Sequence, residues 1–142
     1  MAADMTVAEL IVGLRNGSAE MRHRCAQDLG LFGPEAASAV PALAAGLKDE
    51  DWQVRAESAW ALGQIGAQAV EAVPMLIEAL KDGFRGVRAE SAGALGRIGA
   101  QAAQAIPALL KALKDREKRV REYSAWALDQ IDPAAKDDFG PW

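Results

Sequence analysis

The sequence repeats itself with a period of 33 residues, and this constrains the fold more than any other feature. The stretch VRAESAWALGQIGAQA at 54–69 returns as VRAESAGALGRIGAQA at 87–102. Units this short cannot bury an apolar face alone, so they stack on one another and share a core. The spacing also holds for Pro41, Pro74 and Pro107, for Arg22, Arg55, Arg88 and Arg121, and for Leu29, Leu62, Leu95 and Leu128. We therefore predict one domain over 1–142, with units 7–39, 40–72, 73–105 and 106–138 and a C-terminal tail at 139–142.

Each unit is predicted to contain two helices. The first helix carries leucines four residues apart, such as Leu43 and Leu47, which form one stripe of an amphipathic helix. The repeated proline falls near its start, where a missing N–H costs least. Residues such as 34–39 are expected to form a separate turn before that proline. In the first unit, Thr6 and Glu9 have the spacing of a capping box, which predicts a helix start.

The second helix of each unit follows a polar linker. We predict that short polar side chains in the linker accept hydrogen bonds from the first N–H groups of that helix. These residues are Asn16, Asp49, Asp82 and Asp115. Glycine is expected to end the helix at Gly33, Gly66 and Gly99, and Asp132-Pro133 to end the last one.

The core face of a second helix follows from helical periodicity. At about 100° per residue, one side of the second unit's helix comprises Val54, Ser58, Ala61, Leu62 and Ile65. Ala59 and Gly63 lie beside this face, and they are small enough for a neighbouring helix to approach closely. The strong helix formers Ala and Leu dominate the apolar residues, so the whole chain is expected to be helical.

Charge and composition exclude several classes of function. The net charge is −4 and the charges are interspersed, so no basic face for nucleic acid is expected. No stretch approaches the roughly 18 apolar residues of a membrane span, and the N-terminus lacks the features of a secretory signal. The single cysteine, Cys25, precludes an intramolecular disulfide and fits a reducing compartment. We expect a cytoplasmic protein without nucleic-acid or membrane partners.

Three units share Pro, Leu-Lys-Asp, Val-Arg and Ala-Leu-Gly-x-Ile-Gly elements. They are AVPALAAGLKDEDWQVRAESAWALGQIG (39–66), AVPMLIEALKDGFRGVRAESAGALGRIG (72–99) and AIPALLKALKDREKRVREYSAWALDQID (105–132), the last departing from glycine at Asp129 and Asp132. The pattern resembles the HEAT repeat in the short, bacterial-type form of phycobilisome-lyase-like proteins. The resemblance covers nearly the whole chain.

The resemblance implies an all-α fold, a right-handed α-solenoid of antiparallel helix pairs. First helices would line its convex side, and second helices a concave side that usually binds another protein. The charged columns resemble the ladder that joins neighbouring repeats in this family, which implies a structural role for them. Its residues would be Asp49, Asp82 and Asp115 with Arg55, Arg88 and Arg121.

Differences between the units predict the binding face. On the side opposite the core, the second helices carry most of their differences, and Trp and Tyr there are typical binding anchors. Gly93 stands where the neighbouring units have Trp60 and Trp126, which predicts a notch between two indoles. The predicted binding residues are Gln53, Glu57, Trp60, Gln64, Glu90, Gly93, Arg97, Arg119, Tyr123, Trp126 and Gln130.

Two interpretations of these aromatic residues remain open. In the first, the notch binds a protein or peptide segment, or the aromatics contact a second copy of the chain in a homodimer. In the second, the indoles lie flat across neighbouring helices and only cover alanine-rich surface. Trp52 and Phe84 are expected to pack locally in the linkers, and the tail with Phe139 and Trp142 to cover the last apolar face.

The sequence predicts a binding module without a cofactor rather than an enzyme. The only histidine, His23, is two residues from Cys25, so the two side chains point about 200° apart on a helix and cannot form a nucleophile–base pair. Cys25 aligns with serines of the other units and is expected in the core, and His23 at the surface. No metal-ligand cluster or phosphate loop is present. Two alternatives remain: a bilin lyase- or isomerase-like chromophore-binding component, and a designed or consensus repeat protein.

Overall fold

The computed structural model describes residues 4–139, and within that range the chain forms helices, turns and no strand. The first helices of the pairs are α1 (Val7–Asn16), α3 (Val40–Gly46), α5 (Val73–Ala79) and α7 (Ile106–Ala112). The second helices are α2 (Ala19–Phe32), α4 (Trp52–Ile65), α6 (Arg85–Ile98) and α8 (Lys118–Ile131). The predicted all-α fold, a right-handed α-solenoid of helix pairs, is confirmed.

The second helices form the continuous layer of the stack. Helix α4 packs between α2 and α6, α6 packs between α4 and α8, and each first helix packs on its own partner. The leucine column of the second helices, Leu29, Leu62, Leu95 and Leu128, is fully buried in the shared core. The predicted core face of α4 is confirmed, because all five of its residues are buried.

A short 3₁₀ helix precedes α3, α5 and α7. The three segments are Gly33–Ala39, Gly66–Ala72 and Gly99–Ala105, so the predicted separate turn is confirmed. Each contains one alanine with non-helical backbone angles, and each is followed by an α-helix with proline in its first turn. The predicted capping box at Thr6 and Glu9 is also present and begins α1.

Glycines with positive φ end three of the second helices, as predicted. Gly33, Gly66 and Gly99 have φ values of 63°, 79° and 84°, a backbone conformation that L-residues with a side chain rarely adopt. Helix α8 ends at Ile131, with Asp132 as its C-terminal cap, which confirms the predicted stop. The predicted cover by the tail concerns the Phe139 side chain and residues 140–142, which lie outside the described part of the structure.

We expect Gly66→Ala to lower the free energy of unfolding by about 1–2 kcal/mol, because alanine is strained at this φ. Nothing lies within 4 Å of the position that a Cβ at Gly66 would take, so steric contact adds nothing. Gly83→Ala is the matched control, since its surroundings are equally open and its φ is not positive. Urea unfolding followed by circular dichroism checks both, and equal losses would contradict the backbone explanation.

The predicted caps of the second helices are wrong in detail. Asp51, not Asp49, caps α4 by accepting hydrogen bonds from the N–H groups of Gln53 and Val54. Asp49 instead accepts from the N–H of Asp51, the residue just before the helix, and Asp82 and Asp115 behave in the same way. In the first unit, Asn16 belongs to α1 and Ser18 caps α2. These aspartates therefore shape the linker and do not cap the helix, and α6 and α8 begin without a side-chain cap.

Each linker aspartate also joins its unit to the preceding one through an arginine. Arg88 donates from Nε and Nη2 to the two carboxylate oxygens of Asp115, at 2.9 and 3.2 Å, and from Nη1 to the Asp82 carbonyl at 2.9 Å. The pairs Arg22–Asp49 and Arg55–Asp82 have the same geometry. The charged columns therefore form a structural ladder, as the family resemblance implied, with two-pronged contacts of the strongest kind.

Acid is expected to weaken the ladder. Burial raises the pKa of the Asp49 and Asp115 carboxyls, but the arginine and backbone hydrogen bonds and the nearby positive charges together outweigh burial, so both pKa values lie below the ordinary value of 3.8. With a lowered folded-state pKa, the stabilisation is fully present above the unfolded-state pKa and is lost as the pH falls through the folded-state pKa. The free energy of unfolding should therefore begin to fall below about pH 5 and keep falling at pH values below 3.8.

A variant comparison isolates the contribution of the ladder to this pH dependence. Asp115→Asn should reduce the loss of stability on acidification, because the titrating carboxylate is gone. Glu78→Gln, which changes an exposed carboxylate on α5, should leave that loss close to the value of the natural chain. Urea unfolding curves at a series of pH values measure both. An unchanged pH dependence in Asp115→Asn would contradict the assignment to the ladder.

Candidate functional site

The structure gathers seven of the predicted binding residues in one groove, here called the central groove. They are Trp60, Glu90, Gly93, Arg97, Arg119, Tyr123 and Trp126, and Gly63 and Ala94 complete its lining. The groove has a volume of about 450 Å³ and spans α4, α6 and α8. The other predicted residues, Gln53, Glu57, Gln64 and Gln130, lie on the same helices outside this groove.

Both indoles lie across the neighbouring second helix. A methyl group at Gly30 on α2 would overlap the Trp60 ring, and one at Gly96 on α6 would overlap the Trp126 ring. The indoles therefore cover part of the neighbouring helix, as the second interpretation held. This contact does not remove them from the surface, since Trp126 remains 41% exposed and both rings line the central groove.

Gly93 separates the two indoles along the stack. A methyl group there would lie 3.4 Å from Cδ2 of Tyr123, which is an ordinary contact. A Cβ added at Gly63, on the neighbouring helix α4, would lie 3.0 Å from the Cα of Ala94 and 3.2 Å from the Cδ of Arg97. The floor of the groove is therefore backbone and alanine, partly covered by the stem of Arg97.

Charged side chains surround this floor. Arg119 donates from Nη2 to Oε2 of Glu90 at 2.8 Å, and its guanidinium lies 5.1 Å from the centre of the Tyr123 ring. The guanidinium of Arg97 lies 5.9 Å from the centre of the Trp126 ring. Cation–π contacts of this kind contribute about 0.5–1 kcal/mol at exposed sites. The arrangement suits the non-covalent recognition of a ligand with both apolar and polar groups.

Glu57 lies beside the central groove and has an altered acidity. Burial raises the pKa of its carboxyl, nearby Glu90 raises it further, and His23 opposes both. The Nε2 atom of His23 is 3.7 Å from Oε1 of Glu57, and the histidine side chain is 35% exposed. The predicted surface location of His23 is therefore correct, although it is half-buried against a neighbouring unit.

The predicted core location of Cys25 is confirmed. Its side chain is fully buried, and burial is the main cause that raises the pKa of its thiol. Among residues 4–139, no three or more His, Cys, Asp or Glu side chains are arranged to hold a metal ion. No helix in the same range is long and apolar enough to cross a bilayer.

Sequence reasoning missed a second groove, here called the edge groove, at the start of the second helices. The rings of Trp52 and Phe84 stack in parallel with 5.3 Å between their centres, and both residues are exposed. The groove beside them has a volume of about 630 Å³ and includes Arg85, Arg116 and Arg119. Trp52 is the first residue of α4 rather than part of a linker, which corrects its predicted position.

The family of the chain follows from its sequence and its fold. The chain matches the family model of HEAT repeats over residues 7–83 and again over 73–139. A comparison with curated protein sequences finds no match.

Solved structures similar to the chain have the same kind of fold. An engineered protein is 26% identical with a TM-score of 0.75, over 89% of this chain and 63% of its own. Human deoxyhypusine hydroxylase is 35% identical with a TM-score of 0.69, over 90% of this chain and 44% of its own. The CpcE–CpcF complex of phycocyanin lyase from Nostoc sp. is 23% identical with a TM-score of 0.67, over 88% and 77%. The chain thus spans less than two thirds of the first two proteins. It belongs to the HEAT-repeat family.

Proposed function

We propose that the chain is a non-catalytic binding module that holds a protein or peptide segment in the central groove. The observation that supports this is the groove itself, with a volume of about 450 Å³ and walls from three successive second helices. Two indoles, one phenol ring and three charged side chains line it. Buried aromatic and arginine side chains are typical of the energetic centre of protein interfaces.

The groove fits a segment that runs across the second helices. Trp60 belongs to α4, Gly93 and Arg97 to α6, and Tyr123 and Trp126 to α8. Packed helices lie about 8–10 Å apart, so three of them span about 20 Å. An extended chain covers about 3.3 Å per residue, so about six residues of a ligand would occupy this length.

The side chains of the groove favour binding over catalysis. Its one carboxylate, Glu90, is paired with Arg119 at 2.8 Å. The Tyr123 hydroxyl lies 3.4 Å from the same guanidinium. The lining contains no cysteine, serine or histidine, and it therefore offers no nucleophile with an adjacent base. What remains is a set of aromatic faces and charged hydrogen-bond donors held by rigid helices.

The test uses peptides selected for binding to the natural chain from a displayed library of random 12-residue sequences. Gly93→Trp adds an indole inside the central groove, and we expect it to lower the affinity for the selected peptides at least tenfold. Glu78→Trp is the matched control, because it adds the same side chain at an exposed position of the first helix α5. Fluorescence anisotropy with labelled peptides measures both affinities, and we expect the control to remain within twofold of the natural chain.

Other outcomes identify other arrangements. Peptides that bind Gly93→Trp as tightly as the natural chain would contradict the proposal. The edge groove would then be the next candidate for the binding site. If a second copy of the chain occupies the central groove, the natural chain will sediment as a dimer and Gly93→Trp as a monomer. In that case the selected peptides will compete with dimer formation.

A further inference from the structure

Three glycines lie in the same register on successive second helices and form a repeated floor. They are Gly30 on α2, Gly63 on α4 and Gly96 on α6. Each packs against the Cα of an alanine on the next helix, at 3.0 Å for Gly63 and 2.9 Å for Gly96, measured from the position of an added Cβ. The backbone geometry of the floor is thus nearly the same in each unit.

An indole from the chain itself covers two of these three glycines. The ring of Trp60 lies on Gly30, and the ring of Trp126 lies on Gly96. Each tryptophan is thirty residues after its glycine. At the equivalent position for Gly63 the chain has Gly93, so only the stem of Arg97 covers this floor. The same surface that receives an indole in two units is therefore covered in the third by an arginine side chain of the groove lining instead of a ring.

We propose that the central groove receives an aromatic side chain of the partner, with its ring on Gly63 between Trp60 and Trp126. This inference rests on the proposed function and names the ligand group that it recognises. The incoming ring takes the position that the chain's own indoles take on Gly30 and Gly96. A planar ring fits because the floor is shaped by backbone atoms and by a close contact with Ala94.

The surroundings favour an aromatic ring over an aliphatic side chain. The rings of Tyr123 and Trp126 line the same groove and offer edge-to-face or offset contacts. The stem of Arg97 lies over the floor but belongs to an exposed residue, so it moves aside by rotation about its own bonds. Its guanidinium then lies within reach of the outer face of the incoming ring, as it does for Trp126.

The first test uses N-acetyl-L-tryptophanamide and N-acetyl-L-leucinamide as probes on the natural chain. Backbone amide chemical shifts are recorded in ¹⁵N-labelled protein during titration with each compound. We expect the tryptophan compound to shift Gly63, Gly93 and Ala94 in a saturable way, with at least fivefold higher affinity than the leucine compound. Equal effects of the two compounds at these amides would overturn the proposal, as would no shift at Gly63 or shifts confined to the edge groove.

Variants then test whether the ring position is the one described. Gly93→Trp supplies an indole from the chain, and we expect it to abolish the shifts caused by the tryptophan compound. Gly93→Ala adds only a methyl group at an ordinary contact distance from Tyr123, and we expect the shifts to remain. Circular dichroism verifies that both variants fold. The comparison of the two probes on the natural chain does not depend on either variant. Unchanged shifts in a folded Gly93→Trp variant would overturn the proposal.

The two proposals fail in different ways. Gly93→Trp could lower the affinity for selected peptides that contain no aromatic residue while the tryptophan compound leaves the amide chemical shift of Gly63 unchanged. In that case the groove binds peptides without an aromatic anchor. The further inference then fails while the proposed function stands. If no selected peptide is sensitive to Gly93→Trp, the proposed function fails as well.

Discussion

Replacement of Arg88 by alanine is expected to lower the free energy of unfolding by about 3 kcal/mol, since it leaves a partly buried carboxylate without its partner. The Arg88 residue is only 6% exposed. Its guanidinium makes two hydrogen bonds to Asp115 and one to the carbonyl of Asp82. The substitution therefore removes a contact within the third unit and the charged contact that joins it to the fourth. Urea unfolding at neutral pH, followed by circular dichroism, measures the change.

Arg121 offers the matched control within the same column. Its Nη1 atom donates to the Asp115 carbonyl at 2.8 Å, just as Arg88 donates to the Asp82 carbonyl. Within residues 4–139 it makes no carboxylate pair of the kind that Arg88 makes with Asp115. Arg121→Ala should therefore cost about 1 kcal/mol, the value of one net hydrogen bond. Equal losses in the two variants would show that the carboxylate pair contributes little.

Leu95→Ala is expected to have the largest effect, a loss of about 4 kcal/mol. Leu95 is fully buried on α6, which packs against both α4 and α8. Removal of its side chain deletes buried methyl groups and leaves a cavity that stiff neighbouring helices close only in part. Total stability in small domains is about 5–15 kcal/mol, so the variant should unfold at a much lower urea concentration.

An exposed leucine provides the comparison for this substitution. Leu31 on α2 is 73% exposed, and Leu31→Ala should change the free energy of unfolding by no more than about 0.5 kcal/mol. A loss near 1 kcal/mol for Leu95→Ala would contradict the continuous core. It would mean that the units adjust to the cavity independently of one another.

The sequence allowed most of the fold to be predicted because one geometry recurs. The same proline, leucine and glycine spacings determine the helix starts, core faces and helix ends in successive units, so the assignments supported one another. The capping prediction failed because the first two linkers hold a second short polar residue, Ser18 or Asp51, which caps the helix instead, and no side chain caps α6 or α8. Asp49 and Asp51 are both suitable caps by residue type, and only the conformation of the linker decides which of them reaches the helix N–H groups. The division into units remains a proposal.

The candidate site was predictable in location but not in shape. The contrast of Gly93 with Trp60 and Trp126 indicated a notch, because a missing side chain leaves space wherever the backbone repeats. The direction of each indole depends on side-chain torsions and on Gly30 and Gly96, one unit away, which helical periodicity within a single unit does not describe. The Trp52–Phe84 stack was missed because its residues are 32 positions apart, one less than the repeat.

The two ends of the second helices are held together by different forces. The charged ladder lies at their N-terminal ends, and the 3₁₀ segments lie about 20 Å away at their C-terminal ends. There, Ala36, Ala69 and Ala102 are fully buried. Bending that opens the ladder side stretches ionic hydrogen bonds, whereas bending in the other direction opens the side of the 3₁₀ segments and separates buried apolar groups. The resistance of the solenoid to bending therefore has a different physical origin in the two directions, and acid weakens the resistance to opening of the ladder side.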